Sequence, residues 1–241
     1  MTKPVPGRSK FDDFVPAPNI SGDPEIYELE NQAIAADGRL DSALRSVADW
    51  SGRRLLDIGC GTGFWLSLYA TDASSVVGVE PDPDLVAHAE RRVEGLDNVR
   101  VVRGSAEHLP LPDASVDVAH ARFAYFFGPG AEQGLAEVRR VLAPGGVFVT
   151  VDNSWRSGEF AELLVDSSEG NGAIDPTVTD TWWADNDAER VEVDAGWAAG
   201  STDELRRILR IEFPSDTVDR FERRHARADL TYAMALFVIN A

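Results

Sequence analysis

Cysteine is almost absent from this chain of 241 residues, because Cys60 is its single example. One cysteine cannot close a disulfide within the chain, so a disulfide-stapled secreted scaffold is excluded and a reducing cytoplasm is predicted. Long apolar runs are missing too, and residues 1–8 lack the apolar core of a signal peptide, so no membrane anchor is predicted. The histidines are widely spaced, which predicts no metal site; they stand at positions 88, 108, 120 and 225.

Positive charge is also scarce. The chain has 23 Lys and Arg residues against 41 Asp and Glu residues, so its formal net charge is −18. Such a surface repels phosphate backbones and anionic lipid headgroups, which disfavours nucleic acid and membranes as partners. A small molecule is therefore the expected partner.

A glycine-rich turn follows the first apolar strand, in the segment L-L-D-I-G-C-G-T-G from Leu55 to Gly63. Its three glycines alternate with other residues, so backbone N–H groups and a ligand can approach without an intervening Cβ. The helix predicted after the turn presents unpaired N–H groups and the positive end of its dipole. This arrangement is typical of nucleotide-like cofactor sites in open α/β sheets.

Two other interpretations of this turn remain open. It could be a tight turn without a ligand, or the phosphate-binding turn of a nicotinamide or flavin enzyme. The latter uses G-x-G-x-x-G, and here Phe64 occupies the third glycine position. Asp57 also stands where dinucleotide folds usually have an apolar residue. Both departures favour a different cofactor.

A second β-branched run, Ser75 to Glu80, ends in a carboxylate, and Pro81-Asp82-Pro83 then leads into a predicted helix. An acid at this position can accept two hydrogen bonds from the hydroxyls of an adenosine ribose. The alternative is a helix-capping or solvated loop acid. The distance from the glycine turn favours ribose binding.

Two later segments extend the pattern: G-S-A-E-H-L-P-L-P-D leading to A-S-V-D-V-A, residues 104–119, and E-V-R-R-V-L-A-P-G-G-V-F-V, residues 137–149. Together with the glycine turn and the Glu80 segment, they resemble four motifs of class I S-adenosylmethionine (SAM)-dependent methyltransferases, in the same order. The chain is similar to the small-molecule branch that includes ubiquinone and menaquinone biosynthesis C-methyltransferases. The Pro144-Gly145-Gly146 turn is expected to end a helix and start strand five.

The resemblance implies SAM as cofactor and methyl transfer to a small-molecule acceptor. It also implies a doubly wound, seven-stranded Rossmann-like α/β sheet of order 3-2-1-4-5-7-6, with the last strand antiparallel. The chain has no N/D-P-P-Y/F tetrapeptide after strand four, which argues against methylation of adenine, cytosine or glutamine amino groups. A non-catalytic SAM-binding protein and a nicotinamide-dependent oxidoreductase remain as alternatives.

The cofactor contacts follow from the same resemblance. Ser105 stands where the family usually has an Asp that accepts from the adenine amino group, so Ser105 or the backbone beside it must do so here. Tyr27 and Asn31 are four residues apart and share a helix face, which is expected to close over the methionine end. Cys60 is interpreted as a small turn residue. The expected cofactor-binding residues are Tyr27, Asp57, Gly59, Cys60, Gly61, Gly63, Glu80, Pro81, Ser105, Ala106, Glu107 and Ala121.

The acceptor is expected beyond strands four and five, next to the transferred methyl group. His120 and Asp152 are candidate general bases there. Proximity and orientation are nevertheless expected to supply most of the acceleration. The candidate substrate residues are Arg122, Tyr125, Phe126, Asn153 and Trp155.

Residues 1–22 are predicted to be a flexible N-terminal segment, and residues 23–241 a single domain. Within that domain, residues 23–50 form a helical cap and residues 155–190 an inserted segment on the substrate side. Trp182 and Trp183 are either core residues of this insertion or a lid. Further along, Ser201 to Glu204 resembles a capping box, and residues 191–197 and 232–239 are predicted strands.

Overall fold

The structure is a computed structural model that describes residue 14 and residues 16–125, 127–168 and 175–241. The strands are β1 Arg54–Ile58, β2 Ser75–Glu80, β3 Val99–Arg103, β4 Val116–Arg122, β5 Leu142–Asn153, β6 Glu189–Ala198 and β7 Asp229–Asn240. The helices are α1 Pro18–Gly22, α2 Pro24–Ala35, α3 Arg39–Val47, α4 Leu66–Ala70, α5 Pro83–Arg92, α6 Glu132–Val141, α7 Glu159–Ser168, α8 Pro176–Asp185, α9 Thr202–Glu212 and α10 Ser215–Glu222.

The seven strands form one sheet in the order β3-β2-β1-β4-β5-β7-β6. Strands β1 to β5 pair in parallel, whereas β7 runs antiparallel to β5 and β6. The predicted strand order and antiparallel last strand are therefore confirmed. The strand order reverses between β1 and β4, and ligands of such sheets bind beyond the carboxyl ends of the strands at that point.

Both faces of the sheet are buried, as a mostly parallel sheet requires. Successive side chains of a strand point to opposite faces, so the neighbours Leu55 and Leu56 belong to different clusters of buried apolar residues. The Leu55 side includes Trp50 and Tyr69, and the Leu56 side includes Phe148. The apolar run of β1 thus anchors the glycine turn rigidly at the strand end.

Local signals in the sequence position the later helices. The Ser201 Oγ accepts a hydrogen bond from the Glu204 N–H at 3.1 Å, which is the first half of the predicted capping box. The Glu204 carboxylate accepts instead from the Gly200 N–H at 2.9 Å, one residue before the cap. These contacts start α9, whose last residue, Glu212, lines the cavity described below.

The structure corrects two boundaries. Helix α6 ends at Val141 as expected, but β5 begins at Leu142, before the Pro-Gly-Gly turn. Leu142 pairs with Val116 and Val147 with Val118, so the residues between Leu142 and Val147 form an irregularity inside the strand pairing. Residues 18–22, which were predicted to belong to the flexible N-terminal segment, form α1; residues 1–13 and 15 lie outside the described residues.

Across the described ranges, no helix has the length and apolarity needed to cross a membrane. The same ranges contain no group of three or more His, Cys, Asp or Glu side chains that could hold a metal ion.

Candidate active site

A cavity of about 910 Å³ lies at the carboxyl ends of the central strands. Its floor comes from the turn after β1, the end of β2 and the loops after β3 and β4. Its opposite wall comes from α1, α2, the end of α9 and Tyr232 of β7. The cavity therefore lies at the point where the strand order reverses.

The glycine turn forms one edge of this cavity. Gly59 has φ +70° and Gly61 has φ +54°, both in the left-handed region that side chains disfavour. A Cβ on Gly59 would lie 2.5 Å from the Cβ of Ala124, and one on Gly61 would lie 2.7 Å from the Cδ1 of Ile20. Glycine is thus required at both positions. Gly63 does not line the cavity and packs instead against Ala89 of α5.

Glu80 lies at the end of β2, next to the turn. One carboxylate oxygen accepts from the Gly61 N–H and the other from the Asp82 N–H, both at 3.0 Å. Burial raises the pKa of Glu80 to about 6, although these two N–H groups oppose the shift. Each oxygen keeps a second lone pair beside the cavity, so the carboxylate can accept from two further hydroxyl groups.

Asp57 and Arg122 form a buried pair of opposite charge beside the turn. Burial raises the pKa of Asp57 to about 7, the Arg122 guanidinium opposes the shift and Glu80 adds to it. Arg122 stacks on the Trp65 ring, with 4.1 Å from its Cζ to the ring centroid. Its three guanidinium nitrogens have no hydrogen-bond partner among the described residues. Both residues line the cavity, so the pair places one negative and one positive side chain beside the glycine turn.

Helix α2, which carries the predicted cap residues Tyr27 and Asn31, lies beside the same region. Both residues line the cavity. The Asn31 Oδ1 accepts a hydrogen bond from the Trp65 Nε1 at 3.2 Å, which fixes the position of α2 over the turn. The nearby α1 spans the cavity mouth.

The loop after β3 lines the far end of the cavity with Ser105, Ala106 and Glu107. The Tyr125 hydroxyl donates to the Glu107 carboxylate at 2.8 Å and links this loop to the loop after β4. The Cys60 thiol is buried, and burial raises its pKa well above the usual value. These features agree with the interpretation of Cys60 as a packed turn residue.

Known proteins share this fold. Residues 56–150 match the protein family described as "Methyltransferase domain". This segment of the chain therefore resembles a methyltransferase domain. The uncharacterized methyltransferase YcgJ of Bacillus subtilis is 31% identical over 137 residues, which are 56% of this chain and 53% of YcgJ. The demethylmenaquinone methyltransferase of Staphylococcus saprophyticus is 32% identical over 142 residues, which are 56% of this chain and 60% of that protein. The chain spans little more than half the length of these curated relatives.

Solved structures resemble the methyltransferase domain and its flanking helices over more of the chain. The crystal structure of YcgJ has a TM-score of 0.58 and 20% identity, and the match covers 85% of this chain and 98% of YcgJ. A structure of geranyl diphosphate methyltransferase in complex with SAM has a TM-score of 0.57 and 18% identity, over 88% of this chain and 89% of that one. The resemblance to SAM-dependent methyltransferases is thus confirmed for family and fold.

The candidate bases of the methyltransferase domain do not face the cavity. Because β4 extends to Arg122, His120 lies inside this strand, and its ring packs edge-on against Trp50 at 5.4 Å and Tyr69 at 5.2 Å between centroids. The side chain is 0% exposed, and burial lowers its pKa well below the usual value. Asp152 does not line the cavity either, and burial raises its pKa. The prediction that either residue reaches the acceptor is wrong in this structure.

Several other residues do not lie where the sequence analysis expected them. Ala121 is buried in the Phe148 cluster, on the opposite face of β4 from His120, and Trp155 does not line the cavity. Trp182 and Trp183 belong to the core of the same face; Trp183 stacks on Phe237 with centroids 5.2 Å apart. Phe126 lies outside the described residues. The remaining predicted residues line the cavity: Tyr27, Asp57, Gly59, Cys60, Gly61, Glu80, Pro81, Ser105, Ala106, Glu107, Arg122, Tyr125 and Asn153.

One wall of the cavity consists of residues that were not predicted from the sequence as site residues. These residues come from α1, α2, α7, α9, β7 and the position after β4, outside the four motifs, and no spacing in the sequence connects these segments. Glu30 is the exception. It lies three residues after Tyr27 on the same helix, so the helical spacing that connects Tyr27 with Asn31 could have identified it. The missed residues include Asn19, Ile20, Glu30, Phe123, Phe160, Glu212 and Tyr232.

Proposed function

We propose that this chain is a SAM-dependent methyltransferase that moves a methyl group to a small-molecule acceptor. The single observation that carries the proposal is the position of Glu80, whose buried carboxylate lies at the end of β2, against the glycine turn and on the cavity wall. The ribose of an adenosine cofactor would donate to it. SAM supplies an activated methyl group bound to a sulfonium.

The residues of the cavity fit such a cofactor along its whole length. Ser105 and Ala106 lie where an adenine would follow a ribose held by Glu80. Asp57 would face the ammonium group of the methionine end, and the unpartnered guanidinium of Arg122 would face its carboxylate. Tyr27 and Asn31 would cover it.

The chemistry of transfer then depends on orientation. The walls of the cavity would hold the acceptor beside the methyl group that SAM supplies, and such positioning can by itself provide a large part of the acceleration. The side chains of His120 and Asp152 do not line the cavity, so neither residue is assigned the role of a general base.

We also propose a class of partner, a cellular compartment and a domain organisation for this protein. The net charge of −18 supports a partner other than nucleic acid. The free, buried Cys60 supports work in a reducing cytoplasm. The four motifs and the helices around them support one domain from residue 23 to 241, with residues 155–190 as its insertion on the substrate side.

Titration with SAM tests the function. We expect calorimetry to show binding of SAM and S-adenosylhomocysteine, and an acceptor screen to show release of S-adenosylhomocysteine. Binding of NAD instead of SAM would refute the proposal in favour of an oxidoreductase. Binding of SAM without turnover on any acceptor would favour a non-catalytic SAM-binding protein.

The affinity for SAM should fall in mild acid. Ribose hydroxyls and the methionine ammonium donate to ionised carboxylates, so binding favours the charged forms of Glu80 and Asp57. In the unloaded protein these groups have a pKa of about 6 and about 7. The affinity is therefore full above pH 7 and weakens as the pH falls through 7 and 6, by at most about tenfold per pH unit for each proton. Calorimetry across this pH range measures the change in SAM affinity. The variant Glu80→Gln should lack the part of the pH dependence that falls near pH 6. An affinity independent of pH would contradict the assignment.

His120→Leu should leave the cofactor site intact. Both ring nitrogens lack a hydrogen-bond partner among the described residues, so an apolar side chain of similar size loses no such bond there. We expect the SAM affinity to change by less than about tenfold, or about 1.4 kcal/mol, as measured by calorimetry on protein with a native thermal transition. A larger loss in the folded variant would show that His120 acts on the site after all.

A further inference from the structure

Beyond the glycine turn and Glu80, the same cavity continues into a second part, which we call the acceptor compartment. It lies past the ends of β4 and β5, under α2 and the end of α9. Its lining consists of Tyr27, Glu30, Phe123, Asn153, Phe160, Ile211, Glu212 and Tyr232.

Two carboxyl groups meet in this compartment. Glu30 of α2 and Glu212 of α9 both line the cavity, and the Asn19 amide of α1 donates to Glu212 at 2.7 Å. Burial raises the pKa of both groups, and the charge of Glu212 raises that of Glu30 further. Two carboxyl groups so close together resist ionising at the same time, and a cation placed beside them favours their charged forms.

The pair lacks a cation. No salt bridge to either carboxyl group is found in the part of the chain that the structure describes. Arg122, the buried cation of the cavity, acts on Asp57 and Tyr69. Glu30 is only 7% exposed, and no N–H or O–H group of the described residues donates to its Oε2. A buried negative charge of this kind is costly unless a ligand compensates it.

Aromatic rings complete the walls. Tyr232 packs against Phe160 with ring centroids 4.1 Å apart, and against Phe123 with centroids 6.1 Å apart. The Tyr232 hydroxyl donates to Asn153, so its ring is held in place. Aromatic faces beside a carboxylate favour an ammonium group through cation–π attraction.

We propose that the acceptor compartment selects a small acceptor that carries an ammonium group, held by the Glu30–Glu212 pair, with its apolar part packed among the rings of Phe123, Phe160 and Tyr232. The inference rests on the proposed function, since it names the substrate class of the same site. A neutral alcohol leaves the negative charge without a counter-charge, and a carboxylate is repelled by it.

Binding of matched probes tests this inference. The protein is first saturated with S-adenosylhomocysteine, and calorimetry then measures butylamine, cyclohexylamine and phenethylamine against butanol, cyclohexanol and phenethyl alcohol near neutral pH. We expect at least one amine to bind about tenfold or more tightly than its alcohol, as for other hydrogen bonds to charged groups. Glu30→Gln and Glu212→Gln should each remove most of this preference.

Glu25→Gln is the matched control, because Glu25 is exposed on the same helix and lies outside the cavity. It should keep the preference for amines. The inference is overturned if no amine binds more tightly than its alcohol, or if the preference survives in both Glu30→Gln and Glu212→Gln; testing both covers the case in which one fails to fold. Failure to bind S-adenosylhomocysteine at all would refute the proposed function instead.

Discussion

Glu80→Ala is expected to weaken binding of SAM and S-adenosylhomocysteine by roughly ten- to a hundred-fold. A hydrogen bond to a charged group contributes about 1.5–3 kcal/mol, and about 1.4 kcal/mol corresponds to a factor of ten. The substitution would remove the proposed acceptor of two ribose hydroxyls. It also frees the Gly61 N–H, which Glu80 holds in the turn at 3.0 Å. Calorimetry on the folded variant measures the loss.

Two variants separate these contributions. Glu80→Gln keeps one oxygen for the turn but removes the charge, so we expect an intermediate affinity. Glu90→Ala alters an exposed acid on the neighbouring α5 and should bind as the wild type does. A folded Glu80→Ala protein with wild-type affinity would contradict the cofactor site.

Gly59→Ala should destabilise the protein and distort the cavity. A left-handed conformation costs a residue with a Cβ roughly 1–2 kcal/mol, and overpacking adds about 1–3 kcal/mol. The new Cβ would lie 2.5 Å from that of Ala124, whose backbone follows β4 at the cavity wall. We therefore expect a clear fall in the free energy of unfolding, measured by denaturant titration, together with lost SAM affinity.

Gly52→Ala provides a close control. Gly52 has φ +68°, almost the value of Gly59, but nothing lies within 4 Å of its added Cβ. It should therefore show the backbone cost alone. Adding Ala124→Gly to Gly59→Ala removes the contacting atom and should restore part of the stability. Equal losses in Gly52→Ala and Gly59→Ala would show that the close approach at Ala124 has no effect.

The sheet and the part of the cavity formed by the glycine turn and Glu80 could be predicted, because the sequence signals for them are local. The strand, turn and acid around Asp57 and Glu80 stand in short continuous segments, and each segment carries its own side-chain chemistry. His120 was misplaced by a boundary: once β4 extends to Arg122, the alternation of side chains turns His120 toward Trp50. A shift of one or two residues at a strand end decides which face a side chain meets.

The acceptor compartment could not be predicted in the same way. Glu30 and Glu212 meet only because α2 packs against α9, a contact between distant segments that follows from the burial of Ile26, Leu205 and Ile208 rather than from any motif. Each glutamate alone reads as an ordinary solvated helix residue. Their place on one cavity exists only in the folded chain.

Helix α1 links both ends of the cavity. Ile20 lies against Gly61, the Ser21 Oγ is 3.4 Å from the Asp82 carboxylate, and Asn19 reaches Glu212 on the opposite wall. A helix of five residues held by so few contacts detaches locally at far lower cost than the sheet beneath it. On the proposed function, local opening of α1 would uncover both ends of the cavity together, so this motion is one step that can limit the exchange of spent for fresh cofactor.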